Sequence, residues 1–456
     1  MILETELEQE LQAHEITYAA GESVDLAAGV LSTSQQPDAE KKHLMKDFMK
    51  ILGGQAFSLV GSALVQFALV WWLTLTTGSA TVLAIGTIIA LLPQIIASPV
   101  AGVLVDRWNR RKVMILSDGV AAFMVILLAV LFAMGSAQIV HVYIVMAIRS
   151  AIGVFQWPAL QASVSLMVPD EHLSRANGLY QTLSGLAQIA APPLGALLLV
   201  ILPIQTILMI DVGTAAMAIV PLLLIRIPQP MKELSVEESS SSLQTDIKQG
   251  VGFLLGWKGG QFTLFALMII NMILIPATTL IPILALIHFS GGPFELAWLQ
   301  SAMGVGMILG GVTLSMWGGF KRRMVTVVWA VVIAGVAILV VGLTPSSFFS
   351  MAVGGLLLAG IMIPMASGSL MAILQAVVPP DMQGRVFSVI VSLSPLMAPI
   401  GLALAGPVAD ALGASTWFLI SGVGIILIGL VGRFIPTIMQ MEEVVNSERT
   451  IESLSL

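Results

Sequence analysis

Gly102-Val103-Leu104-Val105-Asp106-Arg107-Trp108-Asn109-Arg110-Arg111-Lys112 joins two apolar runs, one closing at Ala101 and the other opening at Val113. Cations between two bilayer-length segments place such a junction on the cytoplasmic side of a membrane. Orientation alone needs only Arg107, Arg110, Arg111 and Lys112. The remaining residues have a further logic. Gly102 lets two helices approach, Asp106 falls where the first helix ends, and Asn109 tolerates the left-handed turn that most residues avoid. A carboxylate in that place can accept from the amino end of a facing helix, which a purely topogenic loop would not need.

Outward from this stretch the chain is apolar. Of its 456 residues, 57% are hydrophobic and 10% charged, where a soluble domain carries about 25% charged residues. It is read as an all-α integral membrane protein. Runs of about 20 apolar residues occur twelve times, at 48–75, 80–104, 113–134, 139–167, 176–202, 206–227, 261–288, 294–318, 324–343, 348–377, 385–411 and 414–436. They divide into an acidic tail at 1–47, a six-helix block at 48–227, a polar linker at 228–260, a second block at 261–436 and a tail at 437–456. The linker carries Ser239-Ser240-Ser241-Ser242 and a short helix over Leu243–Leu255.

Charge supports this count. With twelve spans and both termini in the cytoplasm, every one of the 20 Lys and Arg falls on the cytoplasmic side except Arg149, which lies inside the fourth span. The net charge of −6 belongs to the amino-terminal tail, where Glu4, Glu6, Glu8, Glu10, Glu15, Glu22, Asp25, Asp38 and Glu40 stand with no Lys or Arg before Lys41. Nucleic acid is therefore not an expected partner. Ile2, Leu3, Leu7 and Leu11 have near-helical spacing, within a tail otherwise read as disordered. The tail lacks the cation-then-apolar pattern of a cleavable signal, so the first span is expected to serve as a signal-anchor. Cysteine is absent, which removes disulfides and thiolate metal sites.

The two blocks repeat. Val168-Pro169-Asp170-Glu171-His172-Leu173-Ser174-Arg175 answers Val378-Pro379-Pro380-Asp381-Met382-Gln383-Gly384-Arg385, and Pro193-Leu194-Gly195 answers Pro399-Ile400-Gly401. The opening stretch returns as Gly311 through Lys321-Arg322-Arg323, with Trp317-Gly318-Gly319-Phe320 in place of the Asp. Duplicated bundles of this kind bind their cargo at the interface near mid-membrane.

The 102–112 stretch resembles the loop between helices 2 and 3 of the major facilitator superfamily, Gly-x-x-x-Asp-(Arg/Lys)-x-Gly-(Arg/Lys)-(Arg/Lys), with Asn109 at the position of the second Gly. The resemblance implies two pseudo-symmetric six-helix bundles and an inner gate that includes Gly102, Asp106, Arg107, Arg110 and Arg111. Arg149-Ser150-Ala151-Ile152-Gly153 resembles a second motif, Arg-x-x-Gln-Gly on helix 4, with Ile152 replacing the Gln, and implies a role for Arg149 in proton coupling. Ala187-Gln188-Ile189-Ala190-Ala191-Pro192-Pro193-Leu194-Gly195-Ala196 keeps Pro192 and Gly195 of the helix-packing motif of drug antiporters. Gln156-Trp157-Pro158-Ala159, Val168-Pro169 through Ala176-Asn177-Gly178, and Trp317 through Arg323 look like the macrolide-efflux branch of bacterial facilitators.

Arg149 sits roughly 14 Å from the outer end of its helix at 1.5 Å per residue, a depth at which a cation must face protein, water or a counter-charge. Two readings stand side by side: a proton-coupling group, or a structural Arg that bonds carbonyls or Gln side chains. Asp211 likewise reads as an interfacial carboxylate receiving helix-terminal donors, or as the counter-charge of Arg149. Asp118 and Asp410 are expected at the interfaces. Polar stripes mark candidate cavity walls: Gln55, Ser58, Ser62 and Gln66 on the first span, Gln156 and Trp157 with Ser163 on the fourth, Asn271 and Thr278 on the seventh, and Ser367 on the tenth. The alternative for each is hydrogen-bonding between helices.

A wall of amides, hydroxyls, Trp157 and Met suits lipophilic compounds better than sugars or dicarboxylates. No Gly-x-x-x-x-Gly-Lys-(Ser/Thr) segment is present for ATP, and no Gly-x-Ser-x-Gly or His-Glu-x-x-His for hydrolysis. The expected function is proton-coupled efflux of lipophilic, macrolide-like compounds from a bacterial cytoplasmic membrane, by a monomer that needs no metal or cofactor. The alternatives are a facilitator for a specific metabolite such as a siderophore, and a non-transporting sensor or scaffold.

Overall fold

In a lipid interior no water competes for backbone N–H and C=O groups, so an apolar run of bilayer length closes its own hydrogen bonds as a helix. The computed structural model describes residues 44–225, 227 and 242–439, and the acidic tail with its possible amphipathic helix lies outside them. Among the described residues, twelve helices long and apolar enough to span a membrane follow in sequence. The first half holds α1 (Leu44–Thr77), α2 (Ala80–Arg107), α3 (Arg110–Ala133), α4 (Ile139–Met167), α5 (Leu173–Ile201) and α6 (Ile204–Leu224). After a linker helix α7 (Ser242–Leu255), the second half holds α8 (Lys258–His288), α9 (Pro293–Trp317), α10 (Arg323–Leu343), α11 (Phe349–Val377), α12 (Pro380–Leu412) and α13 (Ala414–Phe434). Among the described residues no strand occurs.

Two helices depart from regular α geometry. α8 ends in a π-helical turn at Leu284–His288, where His288 Nε2 lies 2.8 Å from the Thr344 carbonyl. α12 passes through a 3-10 turn at Ser394–Met397 that contains Pro395, a residue that removes one ladder donor.

The 102–112 loop turns by another conformation than its sequence implies. Asn109 does not adopt the left-handed conformation; it is extended, with φ −70° and ψ 109°, and its side chain accepts from the Lys112 N–H at 3.1 Å as the amino-terminal cap of α3. The left-handed turn appears instead in the repeated copy, where Gly318 and Gly319 have φ of 73° and 83° and Gly318 closes α9.

Lipid is as apolar as Leu, so helices associate through close packing and internal hydrogen bonds. In the second half this packing runs through glycine: a Cβ on Gly422 would lie 2.6 Å from Leu339 Cα, and one on Gly335 would lie 2.8 Å from Ile426 N, so α10 and α13 touch backbone to backbone. In the first half Tyr143 of α4 donates to the Val82 carbonyl of α2 at 2.7 Å. The linker helix belongs to the second half, with Leu254 buried among Leu374, Val386 and Val389.

The halves meet at the end away from the basic loops. Asp410, near the end of α12, accepts from the N–H groups of Ala80 and Thr81 at 2.6 and 3.1 Å and from the Ser79 hydroxyl at 2.9 Å. One α-helical turn earlier, Gly406 lets α12 approach α2, since a Cβ there would lie 2.7 Å from Thr81 Cα. The pseudo-symmetric contact joins α5 to α9, where a Cβ on Gly304 would lie 2.8 Å from Ile189 Cγ1. Asp410 was expected at an interface with the membrane; the structure uses it to cap a helix of the other half.

Candidate functional site

Adding 210 to a residue number carries α4 onto α11, Ile139 to Phe349 and Met167 to Val377, and carries α6 onto α13, Ile204 to Ala414 and Leu224 to Phe434. Each half encloses a chamber at the same place in this repeat. In the first half α1, α3, α4 and α6 surround about 280 Å³, and in the second α8, α10, α11 and α13 surround about 330 Å³. Their chemistry differs completely.

The first chamber holds two carboxylates. Asp211 is 3% exposed and forms an ion pair with Arg149, Nη1 to Oδ2 at 2.6 Å. Ser62 stands between them: its hydroxyl accepts from Arg149 Nη2 at 3.0 Å and donates to Asp211 Oδ1 at 3.3 Å. α6 can bring the carboxylate this near to α1 because position 61 is glycine. A Cβ there would collide with Thr214 Oγ1 and lie 3.0 Å from Asp211 Oδ1. Of the two readings of Asp211, its oxygens go to side chains and not to helix-terminal donors.

Asp118, 4% exposed, is the second carboxylate. Gln55 Nε2 donates to its Oδ2 at 2.9 Å and Gln156 Nε2 to its Oδ1 at 2.7 Å, while Gln156 also reaches Gln55 Oε1 at 3.2 Å. Asp118 is therefore not interfacial. Its charge is met by amides, where that of Asp211 is met by a guanidinium. Both carboxylates line one chamber with Ser58 and with Trp157, whose ring lies 4.7 Å from that of Tyr180.

Asp118 and Gly61 are the residues that sequence reasoning missed. Asp118 lies eight residues from Arg110, roughly 12 Å along the helix, a depth that fits an interface as well as a chamber. For Gly61 the signal was its place inside the stripe from Gln55 to Ser62.

The second chamber is nearly devoid of polar atoms. Asn271 and Ser367 line it, and the Asn271 amide nitrogen is spent on the Leu267 carbonyl of its own helix at 2.8 Å. Thr278 donates to the Ile275 carbonyl at 2.8 Å and is not part of this wall. Gln66 is exposed and lines neither chamber. Apart from Gln66 and Thr278, the candidate cavity residues thus divide between two chambers, one in each half.

At the basic end, Arg110 Nη1 donates to the Ala162 carbonyl of α4 at 2.8 Å, and Arg111 binds the Leu222 and Leu223 carbonyls of α6, the latter at 2.6 Å. These contacts lie within the first half, where cations meet carbonyls near helix carboxyl ends. The side chains at Gly102, Asp106 and Arg107 lie outside the described residues. In the packing motif Pro192 is buried, and Gly195 abuts Phe67 of α1, where a Cβ would lie 2.6 Å from the ring.

Two duplicated six-helix halves, joined at one end and carrying a buried ion pair in one of them, define a multi-pass membrane transporter. The profile of the Major Facilitator Superfamily matches residues 51–402, and the chain belongs to that family. It is 33% identical over 399 residues to Macrolide efflux protein A of Streptococcus pyogenes, covering 87% of this chain and 97% of that one. It is 26% identical over 399 residues to Multidrug efflux pump Tap of Mycolicibacterium fortuitum, covering 84% and 94%. Among solved structures, that of nucleoside transporter NupG superposes with a TM-score of 0.64 at 14% identity, covering 87% of this chain and 98% of that one, a likeness of fold. The resemblance to efflux transporters of the superfamily therefore extends over most of the chain.

Proposed function

We propose that the chain exports lipophilic compounds from a bacterial cytoplasm in exchange for protons, by alternating access, with its basic loops and both termini inside. The Arg149–Asp211 pair carries this reading. A proton on Asp211 removes the charge that holds the Arg149 guanidinium, which must then find another acceptor inside the membrane. Ser62 already bonds both partners and is placed to pass the change to α1. Asp118 offers a second protonation site, and its protonation would strand no cation.

Alternating access requires contacts that exist in one state only. The hydrogen bonds of Asp410 join the halves at the end away from the basic loops, and the Ser301 hydroxyl donates to the Ile189 carbonyl at 3.5 Å nearer the middle of α5. With the basic end inside, this is a state closed to the exterior. The names of the macrolide and multidrug efflux relatives support export and a lipophilic cargo. Energy would come from the proton gradient with no bound cofactor.

The test uses inverted membrane vesicles containing the full chain, a lipophilic dye, and an imposed acid interior. Dye accumulation should follow the gradient and fall to background in Asp211→Asn and Arg149→Ala. Accumulation that ignores the gradient, or persists unchanged in both variants, would overturn the reading.

A further inference from the structure

The second chamber takes in the counterparts of Asp118 and Gln156, Val328 and Ala366, but not those of Arg149 and Asp211. By the 210-residue relation, Gln156 corresponds to Ala366, Arg149 to Ala359 and Asp211 to Ser421. Ala366 lines the second chamber, Ala359 is buried, and Ser421 is turned away to donate to the Ile273 carbonyl at 3.0 Å. Duplication has thus left one half with the ionisable groups and the other with an apolar cavity of about 330 Å³, within the range of roughly 300–1,000 Å³ for small-molecule sites. None of its lining residues is charged. The wall includes flexible thioethers at Met324 and Met362, which adapt to ligands of differing shape.

We infer that the chamber bounded by α8, α10, α11 and α13 binds neutral lipophilic ligands, and that the ionisable chamber of the first half is reserved for protons. The inference rests on the reading of the chain as an exporter of lipophilic compounds and adds a ligand site inside the second half, behind α8 and α11, to the passage between the halves that alternating access requires. An uncharged apolar ligand loses little on leaving the bilayer for this cavity and needs no counter-charge. A lipophilic cation would enter with no partner and lose its remaining hydration. The Asn271 amide oxygen can accept a hydrogen bond from one polar substituent, and the Ser367 hydroxyl can donate one or accept one. The volume admits a small lipophile or the apolar portion of a larger one.

Because the chain contains no cysteine, Ala366→Cys introduces a single thiol on the chamber wall. The full-length variant is purified in detergent and also placed in phospholipid nanodiscs, and its modification by N-ethylmaleimide is timed. Saturating N-phenyl-1-naphthylamine, a neutral lipophile, should slow modification at least fivefold in both media. The lipophilic cation tetraphenylphosphonium should leave the rate within twofold, and a single thiol at Ala121→Cys, in the first chamber, should not respond to the neutral probe. Equal protection by the cation overturns the assignment of ligand class. Protection already complete in nanodiscs before any probe is added overturns the assignment of occupant in favour of a lipid chain. No protection in either medium overturns the site. Ala366→Trp, which fills the cavity, should weaken binding of the same probe at least tenfold. The labelling needs no proton gradient, so loss of gradient-driven efflux in Asp211→Asn and loss of protection at position 366 report on separate claims.

Discussion

Asp410 on the last turn of α12 accepts a 2.6 Å hydrogen bond from the N–H of Ala80, the first residue of α2, and so ties the second half of the chain to the first. The Thr81 N–H and the Ser79 hydroxyl complete the cap. A carboxylate at a helix amino end is worth about 1 kcal/mol, and here it is gained only while this end is shut. Asp410→Asn should therefore shift the population about fivefold toward the state open at this end. Spin labels at Ser136→Cys and Ser346→Cys, in exposed loops of opposite halves, would show the longer distance gaining weight; an unchanged distribution removes the latch.

The Arg149–Asp211 pair makes a separate prediction about stability. Removing one partner leaves the other buried and uncompensated, a loss of about 3–5 kcal/mol, whereas removing both is far less costly. Arg149→Ala and Asp211→Ala should each melt well below the parent protein, and the double variant should recover most of the loss while remaining unable to transport uphill. Additive losses in the double variant would show that the pair is not coupled.

Asp118 behaves differently because amides, and no cation, hold it. In Asp118→Asn one oxygen becomes a donor facing Gln55 or Gln156, so one of the two bonds is lost, about 1 kcal/mol or somewhat more. Melting should change modestly. If Asp118 shares in proton traffic, the variant should still exchange dye down its gradient yet fail to concentrate it against one.

Close packing can be tested at Gly422, whose added Cβ would lie 2.6 Å from Leu339 Cα. Gly422→Val should cost about 1–3 kcal/mol through overpacking, seen as a lower melting temperature in detergent. Gly53, with open space around it, should accept Ala with little change.

The helices were legible because hydropathy and cation placement are one-dimensional signals: each apolar run and each basic loop can be counted without knowing what it touches. Arg149 stood out for the same reason, as a lone cation at depth. Asp118 did not, because its depth along the helix is compatible with an interface, and only the convergence of Gln55 and Gln156 from two other helices shows that it is enclosed. Gln66 and Thr278 show the reverse limit. They continue a polar stripe by period, but α1 and α8 extend beyond their chambers, so periodicity assigns a face and not a depth. Asn109 was read from its tolerance of a turn, and its competing ability to cap a helix prevailed. The division of polar residues between two chambers depends on tertiary packing throughout and left no trace in spacing.

The absence of any charged residue from the second chamber has an electrical consequence. Exchange of one proton for one uncharged molecule moves a net positive charge inward on each cycle. A membrane potential of 100 mV, negative inside, then contributes about 2.3 kcal/mol per turnover, even where the pH is equal on both sides. Efflux should persist under a potassium diffusion potential alone and weaken with valinomycin and high external potassium.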